Sequence, residues 1–181
     1  MPSWKEDIIR ILKAFKNRRQ KDLRKENDRL VKQAVLAFSV VDYEAALLSY
    51  VLAKIVSKPR FFRAEHITAI KEIEHQLVKL VRLPESAGEE DLKHYFVNIK
   101  KAIEQLEKKD PRFLTGLLNK GRLKIAATMY AQGISLGRAS EMTDVNKQDI
   151  LDYSGKTMMF DRLKEEKTIH ERLKNARRLV A

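Results

Sequence analysis

Residues 122–157 read RLKIAATMYAQGISLGRASEMTDVNKQDILDYSGKT, and the fold of the chain is decided here. Leu136, Ala139 and Met142 recur at helical spacing, with Ser135 placed to cap the first turn. Thr143-Asp144-Val145 then turns the chain. Asn146 can cap again, and Ile150 and Tyr153 give the next helix its apolar face, with Gly155 as its expected stop. Small Ala139 allows two helices to approach closely, and Val145 can pin the turn to a core. Preceded by a third helical pattern from Arg122, the stretch reads as a tri-helical helix-turn-helix unit.

The rest of the chain is helical by the same criterion. Ser3-Trp4-Lys5-Glu6 is a capping box, followed by Ile8, Ile11, Leu12 and Phe15 on one stripe. From Lys16 to Arg29 the one large apolar residue is Leu23, so either a single helix crosses solvent or two helices meet near Asn17. Asp42 can cap a helix through Leu47, Leu48, Val51 and Leu52, which Pro59 ends. Further helices are expected from Ile67 to Arg82 and from Glu89 to Lys109. Asp110-Pro111 suits the start of a short one, Asn119 to Gly121 separates it from the next, and Met158 to Val180 reads as a last. No stretch alternates like a strand. An all-α protein is expected, with a helical bundle over 1–109 and a helix-turn-helix domain with a basic C-terminal helix over 110–181.

The 181 residues carry 37 Lys and Arg against 25 Asp and Glu, a formal charge of +12, and no cysteine. Disulfides and cysteine-based zinc sites are thereby excluded. An acidic partner, nucleic acid or anionic membrane, is one reading of this excess, and a charged surface that needs no partner is the other. The most apolar run, Ala34 to Val56, contains Asp42, whose burial at a bilayer centre costs about 2.5–3.5 kcal/mol, so a buried soluble helix is expected there. The first fifteen residues alternate charge with apolar side chains instead of forming a leader core, and a cytoplasmic location is the expectation. Charge is unevenly spread. Residues 1–33 hold 11 basic against 5 acidic, whereas residues 135–155 hold 2 against 4. The helix-turn-helix itself is acidic, so its flanks would have to supply phosphate contacts.

A helix-turn-helix that reads duplex DNA presents the first residues of its second helix to base edges. Here those are Asn146, Lys147, Gln148 and Asp149. Asn and Gln pair with adenine, Lys with guanine, and an acid accepts from cytosine. Ser135, Arg138, Thr143 and Lys156, with Arg122 and Lys124 on the preceding helix, are the candidate backbone contacts. The basic segment from Lys16 to Arg29 is the best single phosphate-binding surface. The competing reading is a helical scaffold whose last unit packs on a partner or a second copy.

Residues 133–153 also resemble the helix-turn-helix of small prokaryotic proteins of the UPF0175 type, in which a tract similar to SLGKAAELAG precedes a second short helix. Ser135, Leu136, Gly137, Ala139, Glu141, Met142, Val145 and Ile150 match, whereas Asp144 stands where that family favours glycine. Asp tolerates the left-handed backbone such a turn needs. The resemblance spans residues 122–157 of 181 and implies an antitoxin-like DNA-binding protein, of a kind often paired with PIN-domain toxins.

Other chemistry finds little footing. Gly155-Lys156-Thr157 lacks the glycine five residues upstream that a phosphate loop needs, since that position is Ile150. Glu72/His75 and Asp91/His94 are spaced three apart as in bundle metal sites, with Glu44 or Glu65 as further ligands, but Ile70, Ile73 and Leu77 define the buried stripe that these merely flank. Neither a nucleophile–base pair nor a cofactor loop can be assembled, and enzymatic activity is not expected.

Overall fold

The computed structural model describes residues 4–37, 39–109 and 116–162, and all regular structure among them is helical. Ser3 and Phe38, the Asp110-Pro111 start and the chain beyond residue 162 lie outside them.

Helix α1 (Trp4–Lys16) ends because Arg18 enters the left-handed region at φ 53. The Arg19 amide reaches back to the Ala14 carbonyl at 2.8 Å and that of Arg18 to Phe15 at 2.9 Å, a Schellman closure with arginine where glycine is usual. The guanidinium of Arg18 lies 4.2 Å over the Phe62 ring, which helps hold that backbone in place. Two helices therefore meet at Asn17–Arg19, and α2 (Gln20–Ala37) turns back with Leu23, Leu30 and Ala34 fully buried.

Helix α3 (Val40–Val56) is the apolar run, and it is buried on nearly every side. A helix hydrophobic all round belongs at the centre of a core, and α1, α2, α5 and the later helices pack on it. Its cap is Ser39, whose hydroxyl accepts from the Asp42 amide at 3.1 Å. Asp42, expected as the cap, sits in the first turn instead, where its charge suits the helix dipole. The buried Asn27 amide donates to the Ala46 carbonyl at 2.9 Å and locks α2 against α3.

After a 3-10 turn at Pro59–Phe62, α4 (Ile67–Arg82) and α5 (Glu89–Lys109) form an antiparallel pair. The Lys5 ammonium donates to the Leu83 carbonyl at 2.8 Å, joining α1 to the end of α4. Lys100 and Glu44 form a mostly buried ion pair at 2.8 Å between α5 and α3. Among the described residues no helix is long and apolar enough to cross a membrane.

Helix α6 (Leu117–Ala131) opens at Gly116, φ 67, which has no side chain to cap the first turn. Glu107 of α5 supplies one, its carboxylate accepting from the Leu117 amide at 2.9 Å. Gly121 does not separate two elements as the sequence suggested; it lies inside α6, where the helix crosses α3. A β-carbon there would stand 2.7 Å from Leu47 Cδ1 and 3.0 Å from Tyr50 Cδ1, so only glycine permits this approach.

Candidate nucleic-acid interface

Three helices build the unit. Helix α6 ends at Gly133, φ 99, with a second Schellman closure in which the Ile134 amide returns to the Met129 carbonyl at 3.1 Å. Helix α7 (Leu136–Thr143) starts on Ser135, whose hydroxyl accepts from the Arg138 amide at 3.3 Å. Asp144 then adopts φ 55 and ψ 39, the left-handed turn its short polar side chain tolerates. Asn146 caps α8 (Lys147–Lys156) by accepting from the Gln148 amide at 2.8 Å. Across the turn, the Ser140 hydroxyl donates to the Val145 carbonyl at 2.6 Å. Ala139 and Ile150 are fully buried between the helices. Helix α8 runs through Gly155 to Lys156, because glycine here has room on all sides and an ordinary φ. Met158 takes the left-handed position that closes it, at φ 47, before the short α9 (Met159–Arg162).

The reading positions behave as one group. Asn146, Lys147, Gln148 and Asp149 are all exposed, while Ile150 and Ser154 hold the opposite side of α8 against the core. Asn146 is partly committed to its cap, and the Gln148 amide donates to Asp152 at 2.8 Å. Lys147 extends beside Gly137, its ammonium 4.0 Å from where a β-carbon on that glycine would sit.

The candidate backbone contacts divide. Lys156 and Ser135 are exposed. Arg138 is exposed but pairs with Glu141 at 3.2 Å. Arg122 is half-buried and reaches Asp144 at 3.6 Å across the turn. Thr143 is a correction: it is 1% exposed and its hydroxyl donates to the Ala139 carbonyl at 2.7 Å, so it faces the core and not a phosphate. Lys124 lies on the α3 side of α6, with its ammonium 5.0 Å from the Tyr50 ring centroid. The acidity of the unit is thus partly met from within, Glu141 and Asp144 each facing an arginine.

Among the described residues, no three His, Cys, Asp or Glu side chains converge on a point that could hold a metal ion. Of the spaced pairs and their suggested partners, Glu72 accepts from Gln76, Asp91 accepts from the Gly88 amide, His94 meets Asn98, Glu44 binds Lys100 and Glu65 faces His66.

No family model, curated protein or solved structure matches the chain.

Proposed function

We propose that the chain is a DNA-binding helix-turn-helix protein that places the start of α8 in the major groove, in a transcription-regulating or antitoxin-like role. The observation that carries this reading is the exposure of Asn146, Lys147, Gln148 and Asp149 together, at the N-terminus of a helix whose other side is anchored on α6. Those four side chains include a donor or acceptor for adenine, guanine and cytosine edges. The chain's net charge of +12 favours a polyanion, and the basic residues of α1 and α2 would supply phosphate contacts that the acidic unit lacks.

The test is binding of the full chain to a library of labelled duplexes, followed by anisotropy at several salt concentrations. Affinity should fall linearly with log salt, and replacing Lys147 and Gln148 by alanine should reduce discrimination between sequences more than non-specific affinity. Absence of any salt-dependent duplex binding refutes the reading.

The scaffold alternative draws support from a different surface. Leu151, Met158 and Phe160 are 38%, 67% and 51% exposed around the end of α8. A second copy of the chain docking there would bury this apolar edge, and light scattering with and without duplex separates a stable oligomer from a DNA-dependent one.

A further inference from the structure

We infer that the open cleft between α2, α3 and α6, around Tyr50, seats a phosphate of the nucleic-acid backbone. This rests on the DNA-binding reading above and adds a site that none of the groove-reading residues supplies. The cleft has a volume of about 190 Å³ and is lined by Arg24, Asn27, Asp28, Tyr50, Lys54 and Lys124, with Ala53 at its floor. Three cations face one acid. The Lys54 ammonium lies 5.5 Å from the Tyr50 ring centroid and that of Lys124 5.0 Å. Both lie within cation–π range of the same ring, so the aromatic group helps hold two cationic stems at the cleft. A phosphate seated there would meet Arg24, Lys54 and Lys124 together, with Asp28 as the one acid of the lining.

The floor is rigid. Asn27 is committed to the Ala46 carbonyl, and the Tyr50 ring is wedged against Gly121. The rim is basic and exposed: Lys21, Arg24 and Lys25 share one side of α2 at three- and four-residue spacing. The cleft also adjoins the reading helix. Tyr153 of α8 lies close enough to Tyr50 to push its phenol up further, beyond the larger effect of burial. Tyr153 follows Asp149 by one turn of α8, on the order of 6 Å along the helix axis, or about two base-pair steps of a duplex. On this assignment a backbone engaged at α8 continues past Tyr50 to Lys54 and along α2. A track of this kind suits a polymeric phosphodiester better than a lone ion.

The test uses the exposed Arg24 and Lys54, replaced singly by alanine and, as milder versions, by glutamine, with unfolding midpoints measured to confirm an intact fold. Each replacement should lower the magnitude of the log affinity–log salt slope by about 0.9. The affinity lost between 50 and 200 mM salt should then shrink by about 3.5-fold per contact. All duplex sequences should weaken alike, whereas Lys147→Ala should alter discrimination. If wild-type chain binds duplex with a salt slope that Arg24→Ala and Lys54→Ala leave unchanged, the cleft assignment is overturned and the DNA reading stands. If the wild type binds no duplex, both fall. Titration with inorganic phosphate, followed by the Tyr50 ring resonances, completes the test. Saturation by phosphate together with unchanged duplex slopes makes the cleft an ion site and overturns the backbone assignment.

Discussion

The Tyr43 hydroxyl, on the central helix α3, donates to the main-chain carbonyl of Thr143 at 3.4 Å, where the first helix of the helix-turn-helix ends. The two residues are a hundred positions apart in sequence, yet this bond fixes the turn on the N-terminal bundle. Burial pushes the Tyr43 phenol up, so it remains a donor at any working pH. Tyr43→Phe is expected to cost about 0.5–1 kcal/mol, the low end for a buried hydrogen bond because this one is long. Thermal unfolding should show a midpoint lower by about 1–4 °C, with weaker duplex binding as the turn loosens.

Gly121→Ala tests the crossing of α3 and α6. The added methyl meets Leu47 and the Tyr50 ring at 2.7 and 3.0 Å, and overpacking of this kind costs about 1–3 kcal/mol. Because Tyr50 must shift, the salt dependence of duplex binding should become shallower as well. Denaturant titration reads the first effect and anisotropy the second.

Asp144 offers a gain. Glycine accepts its left-handed φ of 55 more readily than aspartate, so Asp144→Gly should change stability by less than about 1 kcal/mol. The substitution releases Arg122 from its ion pair, and the freed guanidinium should steepen the salt slope of duplex binding by about 0.9. Asp144→Val places a β-branched side chain in the same backbone geometry and should destabilise by about 1–2 kcal/mol. Both variants release Arg122, so equal unfolding stability of the two would contradict this account of the turn.

Acidification tests the network beneath α1 and α2. Asp7 is buried and pairs with Arg29 at 2.6 Å and with Arg10. Burial raises its carboxyl above the ordinary 3.8, against the pull of Arg29 and then Arg10. The folded chain therefore holds this proton at a pH where the unfolded chain has released it, and stability gains as pH falls through the folded value. The unfolding free energy of wild type relative to Asp7→Asn should move in favour of wild type between neutral pH and pH about 4. Carboxyl NMR of Asp7 should place its midpoint above that of a model peptide, about 3.9.

Local signals were legible and distant ones were not. Ser135 and Asn146 could be read as caps because a cap is decided within four residues, and the small Ala139 does sit buried between helices. The loss of an apolar stripe after Lys16 leaves open one long helix or a break near Asn17, and the left-handed Arg18 decides for the break. Asp42 reads as a cap from its residue type, yet the cap is Ser39 three residues earlier, because both residue types cap helices and only backbone geometry separates them. Gly121 and Gly155 read as stops, yet both lie inside helices: the first is required by a neighbour 74 positions earlier, Leu47, and the second is merely tolerated. Thr143 reads as a phosphate contact by residue type, whereas its hydroxyl turns back to its own helix. The sequence offers Lys124 and the Lys16–Arg29 segment as phosphate contacts, but nothing in it joins them to Tyr50 and Lys54. Arg24, Lys54 and Lys124 belong to three helices, and only their packing brings the charges to one cleft.

The borrowed cap at the start of α6 bears on how far the unit can travel. Its first turn is closed by Glu107, a residue of the preceding helix, and its flank is filled by Leu47 and Tyr50. Grafted alone onto another scaffold, residues 117–156 would carry a frayed leading turn and an exposed apolar groove along Gly121. The three-helix unit is not a cassette. Its geometry is on loan from the bundle, and a transplant that keeps it must bring α3 and the end of α5 along.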